Sequence, residues 1–184
     1  MILEIVKYGT PVLRAKGKVI TEIDDKIRLL AQDMIETMRA ANGVGLAAQQ
    51  VGAALQLTVV EIPEIDERPS TMTLGGKPCD LKDWMPMVLI NPQLELKKER
   101  ETGLEGCLSF PDITADISRS ISVVAKAQLL DGTRIEFEAT GLFARALQHE
   151  VDHLNGILFI DRMNSATKTG LAGKLKRLQR ETAL

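Results

Sequence analysis

Three things are scarce in this sequence of 184 residues: cysteine, histidine and long apolar runs. Two cysteines allow at most one disulfide, which excludes a disulfide scaffold and favours free thiols. No window has the length of a membrane span, and Glu4 and Lys7 interrupt the opening segment where a signal peptide would need an apolar stretch. A cytoplasmic location without membrane contact is the expectation. Charge of neither sign dominates: 23 Lys and Arg against 25 Asp and Glu give −2, no global signature of nucleic-acid binding. Repeats and low-complexity tracts are also missing. An apolar share of 45% with 26% charged residues is that of a globular protein, and the length predicts one domain over 1–184 able to bury a real core. Only two histidines occur, so where they stand carries information.

Periodicity predicts a helix from about residue 21, with Ile23, Ile27, Leu30, Met34 and Met38 at helical spacing and Asn42-Gly43 as its stop. A strand over 55–62 follows. The Pro- and Gly-punctuated stretch 63–86 reads as a long surface excursion with room for a hairpin. Two short strands, 87–90 and 94–96, are expected around an Asn91-Pro92 turn. Strands 121–130 and 133–139 form the clearest hairpin, with Asp131-Gly132 expected as a two-residue reversal. A helix over 142–155 closed by Gly156, and a C-terminal helix from about 165 within the segment 164–184, complete the reading. Strands first and helices segregated argue for an α+β fold.

The strongest chemical signal is Gln148-His149-Glu150-Val151-Asp152-His153 on the helix over 142–155. Imidazoles four residues apart share one helical face and can reach one metal ion, and Glu150 beside them can take a proton from a water. Either histidine alone would more often be an ordinary surface or core imidazole. Both histidines of the chain standing in HExxH register make that reading the weaker one. The downstream positions lack a third ligand of the usual zinc proteases: Phe159 stands where a histidine would be needed, and the only later glutamate is Glu181. Upstream, Cys107 in Glu105-Gly106-Cys107-Leu108-Ser109 is the best candidate, a thiolate suited to zinc or ferrous iron. A lone cysteine is about as often a small buried hydrophobe, and Cys79 in the excursion is read that way. Small Gly106 allows close backbone approach to a ligand. The segment 43–50, Gly-Val-Gly-Leu-Ala-Ala-Gln-Gln, has glycines that free the backbone and a glutamine amide able to donate to a developing oxyanion. By itself that loop is a weak signal, and it is no phosphate loop, since no Lys-Ser/Thr follows.

In order along the chain, the three segments resemble the peptide deformylase family, which is marked by GxGLAAxQ, EGCLS and QHExDH. Gly43 to Gln50, Glu105 to Ser109 and Gln148 to His153 match these motifs, and the resemblance extends from about Tyr8 to Met163. It implies antiparallel β-sheets packed around a central helix carrying HExxH. It also implies a metallohydrolase that removes the N-formyl group from the methionine of nascent polypeptides and releases formate. The implied metal ligands are Cys107, His149 and His153, and the implied catalytic groups are Glu150 as base with Gln50 and the Leu108 N–H as oxyanion donors. Substrate contacts are implied at Val44 and Gly45, at Leu104, Glu105 and Gly106, and at Leu142 and Ala146. Leu142, Ala146 and His149 share a helical face, which supports that placement independently, although core packing would give the same pattern. The implied cofactor is one divalent metal, ferrous iron first, with zinc, nickel or cobalt as substitutes. The expected state is a monomer. The C-terminal helix, with Lys168, Lys174, Lys176, Arg177 and Arg180, is either a solvated cationic face or a transient ribosome contact, as in members with C-terminal extensions. Two features depart from the family pattern. The 63–86 excursion is longer than in compact members. Where some members carry an arginine soon after the EGCLS-x-Pro turn, this chain has Asp112, Ile113 and Thr114, with Arg119 further on.

A metallopeptidase with a different third ligand, and a structural metal site in a ribosome-binding module, are the competing readings.

Overall fold

A computed structural model describes residues 1–184. Helix α1, Asp25–Ala40, starts four residues later than the periodicity suggested, because the Asp24 side chain accepts the Ile27 N–H at 3.0 Å and caps it there. It ends where expected. Asn42 takes a left-handed φ of 56°, and the N–H groups of Asn42 and Gly43 return to the carbonyls of Arg39 and Met38. Strand β1, Gly45–Ala47, leaves this cap and runs through a 3₁₀ turn, Ala48–Val51, towards β2, Leu57–Val60. The excursion does hold a hairpin: β3, Ser70–Leu74, and β4, Lys77–Cys79, turn at Gly75 and Gly76, both with positive φ.

The strand pair expected around Asn91-Pro92 is one continuous strand, β5, Met87–Leu96. Asn91 forms a bulge in it, with a φ of 52° and a register shift between Ile90 and Gln93. Its side chain is tied by two hydrogen bonds to the backbone of Ile20, 2.9 Å from the Ile20 N–H and 2.8 Å to the Ile20 carbonyl. Proline here bends a strand rather than ending it.

Strands β6, Arg100–Cys107, and β7, Phe110–Ser120, form a hairpin that periodicity did not reveal. Gly103, Gly106 and Pro111 dilute its β-forming signal, although Ile113, Ala115 and Ile117 do alternate inward. Strands β8, Ser122–Gln128, and β9, Arg134–Thr140, form the expected hairpin with a different turn. The Gly132 N–H bonds to the Leu129 carbonyl and the Leu129 N–H to the Thr133 carbonyl, so three residues make the loop, with Gly132 at φ 88°.

Every strand pair is antiparallel. A seven-stranded sheet has the order β1-β2-β5-β8-β9-β3-β4, and β6-β7 stands apart as a second sheet. Helix α2, Gly141–Leu154, contacts β1, β2, β3 and β9 of the large sheet and β7 of the small one, as the α+β expectation requires. One apolar cluster, with Leu89, Phe137, Phe143 and Leu147, fills the space between α2 and the large sheet. A second, with Met34, Met38 and Leu57, lies under α1. The third, with Phe110, Ile117 and Phe159, is closed by Leu175 of α3, Ser165–Thr182, whose start is capped by Asn164 accepting the Thr167 N–H at 2.8 Å. No helix is long and apolar enough to cross a membrane.

Candidate active site

Three chain segments meet at the site: 43–50, 105–109 and α2 itself. The N-terminal segment joins two of them, since the Val6 N–H donates to the Gln50 carbonyl at 2.8 Å and the Tyr8 N–H to the Ser109 carbonyl at 2.9 Å. His149 and His153, one turn apart on α2, bring their Nε2 atoms to 3.2 Å, and Cys107 Sγ at the end of β6 lies 3.3 Å from His153 Nε2. The three donor atoms are all within 4.8 Å of one another. Tetrahedral coordination by two imidazoles and a thiolate sets edges of about 3.4 Å between nitrogens and about 3.6 Å from nitrogen to sulfur, so this donor set fits a divalent cation. Cys79 is remote from it and free, as expected.

The outer nitrogen of His149 is held electrostatically. Its Nδ1 lies 2.8 Å from Glu105 Oε1, which leaves the Nε2 lone pair facing the cluster. Glu105 also accepts from Arg119 through Nε and Nη2, both at 2.9 Å, and from Arg145 Nη1 at 2.9 Å. Burial by itself would raise the Glu105 pKa, but the bonds from His149 and Arg119 outweigh it and hold the carboxyl well below the usual carboxylate range. Arg119 continues through Nη1 to Asp152 at 2.7 Å, and Asp152 is gripped by Arg162. The result is a chain of alternating charges from Glu105, behind His149, to the surface. His153 Nδ1 is buried without a partner, so that ring is held by packing between His149 and Cys107.

Glu150 is buried on the same face of α2, its Oε1 4.0 Å from His149 Nε2 and its Oε2 3.5 Å from the Thr58 hydroxyl. Burial pushes its carboxyl up to about 7. Gly45 packs closely beside it, since a Cβ there would stand 2.9 Å from the Glu150 side chain and force it to shift. Gln50 accepts the Ala47 N–H through Oε1 at 2.9 Å, which aims its amide Nε2 at Ser109 Oγ, 3.2 Å away, and at Cys107 Sγ, 3.6 Å away.

A cavity of about 560 Å³ opens over this floor. Val44, Gly45, Leu104, Glu105, Gly106, Leu142 and Ala146 all line it, together with Gln50, Cys107, Leu108, His149 and Glu150. His153, 1% exposed, lies beneath. The Glu105 carboxylate is spent on His149 and the arginines, which leaves that residue's backbone for the cavity. Sequence reasoning missed Arg145, Ser109 and Thr58 as parts of the site. Arg145 did leave a signal, a cation four residues before His149 on the stripe of α2 that faces inward.

A profile of the polypeptide deformylase family matches residues 2–169. The chain belongs to the peptide deformylase family. It is 44% identical to the peptide deformylase of Methylacidiphilum infernorum over 184 residues, 100% of this chain and 96% of that protein. To the peptide deformylase of Opitutus terrae it is 44% identical, with 99% and 95% covered. Among solved structures, the Thermotoga maritima peptide deformylase matches with a TM-score of 0.73 at 38% identity, covering 89% of this chain and 99% of that one. The Synechococcus elongatus peptide deformylase in complex with actinonin matches with a TM-score of 0.79 at 35% identity, covering 95% and 86%. Peptide deformylases are metal-dependent hydrolases that remove N-formyl groups from nascent peptides, and this chain is a hydrolase of that family.

Proposed function

We propose that residues 1–184 form one catalytic domain that hydrolyses the formyl amide of N-formylmethionyl peptides, with Cys107, His149 and His153 holding the divalent metal. One observation carries this reading: a thiolate and two imidazole nitrogens converge within 4.8 Å at the floor of a cavity whose wall presents Glu150. A bound divalent cation would supply a more acidic water and a polarised formyl carbonyl. A donor set of one thiolate and two imidazoles is compatible with ferrous iron, zinc, nickel or cobalt, and from the family we assign ferrous iron first.

The remaining steps belong to the protein. Glu150 takes the proton of the attacking water and passes it to the departing amine, so that formyl amide plus water gives formate and a free N-terminal methionine. The Gln50 amide and the Leu108 N–H donate to the formyl oxygen as it gains negative charge; removing one such donor costs about 10²–10³ in kcat. Val44, Leu104, Leu142 and Ala146 give the methionine side chain an apolar wall, and the backbone of Gly45, Glu105 and Gly106 flanks the peptide. The side chains of Glu105, Arg119 and Arg145 orient His149. We assign the protein to the cytoplasm as a monomer, with the basic face of α3 either solvated or in transient contact with the ribosome.

The test is an anaerobic assay of purified protein on formyl-Met-Ala-Ser. Formate release, without cleavage of an unformylated peptide, is expected. Peptide-bond cleavage instead would establish a metallopeptidase, and neither product would leave a structural metal site.

A further inference from the structure

At its mouth the cavity carries three charged side chains that form no ion pair: Lys7, Arg68 and Asp112. Lys7 leans on the Leu108 carbonyl at 3.4 Å, and Asp112 is exposed near the start of β7. Arg68 differs from both, because its exposed side chain stands next to an anchored stretch of backbone. Its neighbour Pro69 packs its carbonyl against Gly141, where a Cβ would come within 1.8 Å. Ser70 pairs with Gly141, and its hydroxyl accepts the Phe143 N–H at 3.0 Å. From that anchor the guanidinium reaches β6, where Nη2 donates to the Leu104 carbonyl at 3.2 Å. Its Nε and Nη1 have no partner.

Arg68 therefore stands at the outer end of the apolar wall formed by Leu104 and Leu142. A peptide whose formyl group lies at the floor, with its methionine side chain on that wall, has to leave through this mouth. We propose that Arg68 determines specificity downstream of the methionine, selecting substrates with a carboxylate side chain at the second residue. The inference rests on the deformylase reading and sharpens it. The Leu104 carbonyl already holds the guanidinium in place, so little side-chain freedom is lost when an acidic residue pairs with it. Because the pair is exposed, its effect is modest and sensitive to salt.

Metal-loaded enzyme is assayed on formyl-Met-Ala-Ser, formyl-Met-Asp-Ser and formyl-Met-Lys-Ser, at low ionic strength and in about 0.5 M salt, where the Debye length is only a few ångströms. An exposed pair changes binding by a factor of about two to five in each direction, so the aspartyl peptide should exceed the lysyl peptide in kcat/KM by about four- to twenty-fivefold. The difference should lie in KM and shrink in high salt, since contact remote from the reacting carbonyl binds ground and transition states alike. In Arg68→Ala the ratio should fall to near one, and in Arg68→Glu it should invert. A wild-type ratio near one overturns the proposal. So does a preference that survives Arg68→Ala, which would belong to Lys7. Failure of the deformylase reading looks different: no peptide would then release formate.

Discussion

At the residue scale, the site depends on which atoms are left free to act. Cys107 Sγ and the two Nε2 atoms face one another, while Glu150 stands on the same helical face without joining them. Glu150→Gln should therefore keep its metal and lose about 10²–10⁴ in turnover, read by metal analysis beside formate release; full activity would remove Glu150 as the base. Cys107→Ala takes away one of three donors and should purify without metal. Normal metal content in that variant would refute the ligand assignment. These residues were legible because their spacing is chemical: i and i+4 histidines can only mean one helical face. Arg145 was not legible, because a lone arginine in a helix reads as a solvated charge until β6 and β7 cover it. Once covered, it donates to the Glu101 and Ile117 carbonyls at 2.9 and 2.8 Å as well as to Glu105.

At the element scale, α2 is the part that everything else positions, and its start is unusual. Thr140 makes no side-chain cap; the Phe143 N–H goes to Ser70 Oγ, and Gly141 adopts a φ of 66° with the Pro69 carbonyl packed where a Cβ would be. Gly141→Ala would meet both the left-handed strain, about 1–3 kcal/mol, and a backbone clash. It should lower the urea midpoint markedly, and because β3 must move away, it should also disturb Arg68. An unchanged midpoint would show that this junction yields freely. Element boundaries divided by cause. Local signals set the cap at Asn42-Gly43 and the stop at Gly156 correctly. The β5 bulge at Asn91 depends on Ile20, far away in sequence, and the β6-β7 hairpin has too little apolar alternation to announce itself.

At the scale of the whole molecule, the N-terminal region is fastened to the segment that follows α2. Arg14 pairs with Asp161, and a Cβ on Gly156 would touch the Arg14 carbonyl at 2.6 Å. Burial alone would raise the Asp161 pKa, but the bond from Arg14 overrides it and the folded value is lowered below the usual 3.8. A depressed carboxyl gives stability that is complete above its unfolded pKa and disappears as pH falls through the folded one. The gap in urea midpoint between wild type and Arg14→Gln should hence be full at pH values well above 3.8 and close as the medium is acidified below it. A gap that persists in acid would place the effect of Arg14 elsewhere. The sequence by itself determined the α+β class, the three motifs and the atoms able to hold a metal, since each rests on short-range spacing or on the chemistry of one side chain. Only the tertiary structure decided that Glu105 braces His149, that Arg119 and Arg145 neutralise that carboxylate, and that Arg68 overlooks the cavity. Those roles arise from contacts between residues far apart along the chain, which no local pattern encodes.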